Sequence, residues 1–345
     1  MKIRRKILLR IFGVILLLFV LLNFDLIRYG LFQATGQARI LLGAVPVSVY
    51  LSRPDIDRVV KDNLILVEEI RQFAFDSLGL SYSDNYTTVY DQEGKELLWV
   101  VTACQPFQLK AKVWKFPLIG SFSYKGFFDK RKAIKLKEEL EKQGYDTSVR
   151  SVGGWSTLGW FKDPVLTGML QHEAGDLAEV IIHELTHGTL FVKDSLKFNE
   201  NLASFFGEKG SELFLSYRFG ENSILLTNYK KKLADEKLLS AHILKGADFL
   251  DSLYTQMDDK MPVSEKRLLK HDAIKQIIFF ADTLSLNNKE RYLKWLHNLN
   301  PNNTLFMSYL RYRGDLRLLK KDLQDKYNGE TRLMIEDYMK TYGSL

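Results

Sequence analysis

The stretch VIIHELTHGTLFVKDSLKFNENLA, residues 180–203, constrains this chain more than any other. His183 and His187 stand four residues apart in a run, DLAEVIIHELTHGTLFV, whose apolar residues recur at helical spacing. On an α-helix that interval puts both imidazoles on one face, one turn apart, where they can share an ion. Imidazole suits zinc, which takes nitrogen, sulfur and carboxylate donors in a tetrahedral arrangement. Two histidines do not complete such a site, so the fold must deliver a third donor. A third histidine in the H-E-x-x-H-x-x-G-x-x-H pattern is excluded, because Leu190 and Lys193 hold the required positions. Twelve residues separate His187 from Glu200, and TLFVKDSLKF can end one helix, turn at Asp194–Ser195 and begin the next. Ala203, one turn beyond Glu200, lets the two helices approach. Glu208, Glu212 and His242 are weaker candidates; Glu208 lies two turns past Glu200 and suits a supporting role. The expectation is a helix–turn–helix holding one Zn2+ through His183, His187 and Glu200.

Three protein ligands leave a fourth position open, and an open site is catalytic in character. Glu184 is turned about 100° from His183 on the helix, beside the ion and not on it. It is placed to act as general base toward a zinc-bound water attacking a carbonyl, and then to pass the proton to a leaving amine. The oxyanion needs a further donor. Tyr309, Tyr312, Tyr217, His242 and His271 are the open choices at this point, and no other cofactor is called for.

The net charge of +7 invites a nucleic-acid reading, but five basic residues fall within the first ten, MKIRRKILLR, and removing them leaves +2 for the remainder. A body so near neutrality gives no electrostatic case for nucleic acid. The basic cluster precedes an uncharged run, IFGVILLLFVLLNF, close to the roughly 20 residues that cross a bilayer. The charge bias predicts residues 1–27 as an N-terminal membrane anchor, with the body on the outer, periplasmic side. No small-x-small cleavage site follows it. The single cysteine, Cys104, excludes an intrachain disulfide and reads as a buried thiol.

Behind the anchor, residues 28–345 read as one α+β unit: a lobe over 28–170 with a small, mainly antiparallel sheet, and a helical lobe over 171–345. Helices are expected at 26–51 and 55–78, the latter capped by Asp55. YTTVY and ELLWVVTAC, joined by DQEGK, read as a hairpin. A helix over 130–143 stopped by Gly144, a strand in YDTSVRSV, and helices at 176–191, 198–219, 224–259, 264–283, 288–298, 302–324 and 329–341 follow.

HELTH, twelve residues, then NENLA resembles the gluzincin arrangement. More narrowly, GGWSTLGWFKDPVL followed by IIHELTHGTLFVKDSLKFNENLASFFGEKG resembles the bacterial putative aminopeptidase family of membrane-attached zinc peptidases. FPLIGSFSYKGFFD, GQARILLG and the late NNTLFMSYLRY carry the likeness outward, over about residues 33–320. The resemblance implies a zinc peptidase acting on peptides, with His183, His187 and Glu200 on the metal and Glu184 as base. It also implies Tyr312, after Asn302 and Asn303, as the oxyanion donor. Ser156–Trp160 reads either as an edge strand for a peptide backbone or as packing under the active-site helix. The chain departs from the pattern at Trp155 and at Ser204, where relatives of thermolysin place an aspartate. It has no Gly-x-Met-x-Asn segment for a substrate amine. A metalloendopeptidase of the cell envelope and a non-catalytic, zinc-stabilised module that binds a peptide or partner are the alternative readings.

Overall fold

A computed structural model describes residues 2–116, 120–153 and 161–343. The chain opens with α1 (Lys2–Leu22) and α2 (Phe24–Gly43). It continues through β1 (Val45–Pro46), α3 (Val47–Leu51) and α4 (Arg58–Asp76) to β2 (Thr88–Tyr90), β3 (Trp99–Cys104), β4 (Trp114–Phe116), β5 (Gly120–Phe122) and β6 (Lys125–Phe127). Then come α5 (Lys130–Lys142), β7 (Asp146–Ser151) and β8 (Val165–Leu166). The rest is helical: α6 (Ala174–Thr189), α7 (Leu196–Phe219), α8 (Ile224–Thr255), α9 (Val263–Phe280), α10 (Lys289–His297), α11 (Asn303–Arg313), α12 (Leu316–Tyr327) and α13 (Thr331–Tyr342). The class is α+β, as expected.

The strands form three small sheets. β3 lies between β6 and β7, both antiparallel to it, and β4 pairs antiparallel with β5. β2 pairs antiparallel with β1 and parallel with β8. YTTVY and ELLWVVTAC therefore each contain a strand but do not form a hairpin. Short-range alternation fixes strand character, whereas the partner is fixed by distant chain. Here Val89 and Tyr90 align with Val165 and Leu166, and the side chain of Gln92 accepts from the Gly168 N–H. The expected helix over 26–51 is likewise interrupted by β1. Asp57 caps α4 by accepting from Val59, the role assigned to Asp55.

The expected helix over 302–324 breaks at Gly314–Asp315 into α11 and α12. The break is held from outside. The side chain of Asn201 on α7 donates to the Arg311 carbonyl at 2.6 Å and accepts from the Asp315 N–H at 2.8 Å.

The largest core draws on both sides of residue 171. Leu64, Val67 and Ile70 of α4 meet Leu177, Ile181 and Leu185 of α6, with Phe205 and Phe206 of α7, Leu319 of α12 and Ile335 of α13. Burying each large apolar side chain contributes roughly 1.5–3 kcal/mol, so this core holds α6 and α7 against the rest. Their approach needs small residues. A Cβ on Gly207 of α7 would lie 2.9 Å from the Glu179 carbonyl oxygen and 3.4 Å from His183 Cβ on α6, and Ala203 is fully buried.

No single described helix is long and apolar enough to cross a membrane. Arg10–Leu22 and Phe24–Gly43 meet the length and composition only as a pair, bent by 76°. Ile11, Phe12, Ile15, Leu18 and Leu22 of α1 are exposed, while α2 docks on the body through Ile40 and through Tyr29, whose hydroxyl donates to the Gly126 carbonyl.

Candidate metal centre

The local sequence builds the two ligand helices and their turn. α6 buries Leu177, Ile181, Ile182 and Leu185 and presents His183 and His187 toward α7. The turn is closed by Asn199, whose side chain accepts from the Val192 N–H and donates to the Val192 carbonyl. Asp194, with a left-handed φ of 59°, accepts from the Ser121 N–H, tying the turn to β5. Three consecutive residues of α7 thus carry three tasks: Asn199 closes the turn, Glu200 enters the site and Asn201 grips the end of α11.

Both histidines converge on one carboxylate oxygen. His183 Nε2 and His187 Nε2 each lie 3.6 Å from Glu200 Oε2, and the three candidate ligand atoms fall within 4.8 Å of one another. Tetrahedral zinc with bonds of 2.0–2.1 Å would space its donors about 3.4 Å apart. Two imidazole nitrogens and a carboxylate oxygen are also the donor types zinc prefers, so the residues present fit the ion. Burial pushes the Glu200 carboxyl up, but hydrogen bonds and charge from His183 and His187 outweigh it and hold the group below its ordinary range. Burial opposes charging of His187, yet Glu200, with Glu184 adding, holds that imidazole above its ordinary range. His187 Nδ1 is buried without a hydrogen-bond partner among the described residues, so Ser204 does not orient the ring.

Glu184 is half-buried beside this centre. Tyr312 and Tyr124 lie within electrostatic reach of both Glu184 and Glu200. Burial and then the charge of Glu200 push the Tyr312 phenol up, while Arg150 and Arg311 pull it back. Tyr312 therefore remains a proton donor at neutral pH. Its oxygen accepts from Arg150 Nη2 at 3.3 Å, which leaves its own proton free. Arg311 is 6% exposed, and its guanidinium carbon lies 5.9 Å from the ring centres of both Tyr124 and Tyr312. Tyr86, just before β2, has a left-handed φ of 65° and a fully buried hydroxyl lacking a hydrogen-bond partner among the described residues. Burial, followed by Glu184 and Asp163, holds its phenol well above the ordinary range.

The remaining sequence candidates lie elsewhere. Tyr309 senses Glu236 and Tyr292, Tyr217 is exposed against Phe73, and His242 Nε2 is bound to the Ile277 carbonyl oxygen. His271 lines a cleft with Phe107 and Lys270. Glu208 is ion-paired with Arg313 and Lys320, and Glu212 with Lys209 and Lys230. Trp155 and the Ser156–Trp160 edge strand fall outside the described residues. Tyr124, Tyr86, Arg150 and Arg311 were not singled out from sequence, although Tyr124 sits in FPLIGSFSYKGFFD and Arg311 in NNTLFMSYLRY.

The family model described as a putative aminopeptidase matches residues 28–340. No curated protein and no solved structure gives a match.

Proposed function

The chain belongs to the putative aminopeptidase family, and from that premise we propose that it is a zinc-dependent metallopeptidase, an aminopeptidase in particular, with His183, His187 and Glu200 as metal ligands. The observation that carries this reading is the convergence of two Nε2 atoms on one Glu200 oxygen at 3.6 Å each, with Glu184 on the adjoining helix position. Zinc bound there would supply a Lewis acid for the scissile carbonyl and for water. Glu184 takes a proton from the attacking water and delivers it to the leaving amine, a role that contributes about 10²–10⁴-fold in rate. Tyr312 donates to the carbonyl oxygen as negative charge builds on it; its link to Arg150 fixes which way the phenolic proton can point. Tyr86 lies within electrostatic reach of Glu184, and its hydroxyl makes no hydrogen bond among the described residues.

The exposed apolar face of α1 and the basic residues before it support attachment to a membrane, with the body on the outer side. A full-length protein released from membranes by alkaline carbonate would overturn that part.

The test of the enzyme reading is Glu184→Gln. We expect the variant to retain one zinc per chain and to lose aminoacyl and peptide hydrolysis. Equal turnover by variant and wild type would remove the base, and absence of turnover in both would leave a zinc-bearing module.

A further inference from the structure

Beside the candidate metal centre stands an uncompensated positive charge. Arg311 is more than nine-tenths buried and forms no ion pair among the described residues. Arg150 forms none either, and its guanidinium carbon is 6.0 Å from the ring centre of Tyr312, the ring that Arg311 also flanks. A buried guanidinium without a carboxylate is costly unless something anionic joins it. The two glutamates nearby do not serve, because a divalent ion held by His183, His187 and Glu200 would balance the charges of Glu200 and Glu184. The two arginines would then face the substrate with no counter-charge of their own. Guanidinium matches the planar, two-oxygen geometry of a carboxylate. Tyr124 and Tyr312 each lie with their ring centres 5.9 Å from the Arg311 guanidinium carbon, and neither offers it a counter-charge.

We infer that Arg311 and Arg150 form a carboxylate-binding subsite next to Tyr312, so that this enzyme takes peptides bearing a carboxylate close to the scissile bond. The inference names the substrate class of the peptidase reading above and rests on it. The carboxylate is either the C-terminus of a short peptide or an acidic side chain, and the experiment separates the two.

Full-length Glu184→Gln protein loaded with zinc is titrated calorimetrically with three peptides: trialanine, trialanine amide, and Ala-Glu-Ala amide. A charged hydrogen-bonded contact is worth about tenfold or more in affinity, so one of the two carboxylate peptides should bind at least ~10-fold tighter than the neutral amide. Preference for trialanine assigns the C-terminus, and preference for Ala-Glu-Ala amide assigns a side chain. Adding Arg311→Met should shrink the preference to within about threefold, and Arg311→Lys, which keeps the charge, should restore part of it. Arg150 is exposed, so Arg150→Gln tests the same ratio without burdening the core. The ratio is the readout, since a merely structural role would weaken all three peptides alike. Equal binding of the three, no binding of any, or a preference that survives both Arg311→Met and Arg150→Gln overturns the inference. Failure of the peptidase reading registers separately, as wild-type hydrolysis no greater than that of Glu184→Gln.

Discussion

Helices α6 and α7 take part in two clusters of charge, one turn apart on α6 and two on α7, built on opposite plans. In the first, His183, His187, Glu184 and Glu200 bring two carboxylates to two neutral-range bases and contain no permanent cation. In the second, Lys232 meets Asp176 at 2.5 Å, Glu179 at 2.9 Å and Glu236 at 3.6 Å. Arg313 then joins Glu236 to Glu208, and Lys320 closes the chain. The second cluster answers nearly every charge from within and stitches α6, α7, α8, α11 and α12 together. The first leaves donors pointing at common space. The difference separates a group that holds the fold from a group arranged to hold something else. Perturbed carboxylates in both show that charge anomaly alone does not mark a reaction centre.

The comparison can be broken most sharply at Glu184 and at Lys232. Glu184→Gln should lower turnover by about 10²–10⁴-fold with little change in melting temperature; a steady-state assay beside a thermal scan checks it, and a large melting shift would make Glu184 structural. Lys232→Met should do the reverse. It leaves Asp176, Glu179 and Glu236 facing one another, at a cost of about 3–5 kcal/mol, read by urea unfolding, while zinc affinity per folded molecule holds. Gly207→Ala strikes both clusters, since the new methyl would press on the Glu179 carbonyl and on His183. Overpacking of this kind costs about 1–3 kcal/mol, and here zinc affinity should fall together with stability.

The smallest expected effect lies in pH. Burial, reinforced by Glu179 and Asp176 and opposed by Lys232, pushes Glu236 up to about 7. Arg313, Tyr309 and Tyr292 complete its surroundings. The folded chain therefore retains a proton that the unfolded chain releases near its ordinary value of 4.5. Folding stability gained from that proton is fully present below about 4.5 and is lost as pH rises toward 7. The change should be on the order of 1 kcal/mol after allowance for sharing within the cluster, and Glu236→Gln should flatten it. An unchanged slope would mean that another group titrates there.

Much of the first cluster was legible in the sequence because its geometry is local. His183, Glu184 and His187 are related by one helical turn, and Glu200 is reached through a short turn. The second cluster was read only as far as Glu208 in a supporting role, because Lys232, Glu236 and Arg313 come from two further helices, α8 and α11. The same distance dependence explains the errors of fold. β2 and β3 were both recognisable as strands, but β2 takes β8, 75 residues or more away, as its partner. The division of α11 from α12 depends on Asn201, for which residues 302–324 contain no signal beyond Gly314. Tyr312 was identified through resemblance; Arg311 lies in the same NNTLFMSYLRY block without a role assigned to it there, and Arg150 carries no motif. A lone arginine in sequence looks like a solvated one; only burial and the missing counter-charge set Arg311 apart.

Glu200 and Asn201 are adjacent, and on a helix adjacent residues point about 100° apart. One faces His183 and His187 and the other holds the carbonyl of Arg311, so a shift of α7 on filling the candidate metal site would be felt at the seat of α11, which carries Tyr312 and Arg311. Reciprocity then follows from thermodynamics: whatever a substrate gains from a filled metal site, the metal gains from a bound substrate. A substrate that binds more tightly to the filled metal site should therefore raise the affinity for zinc by the same factor.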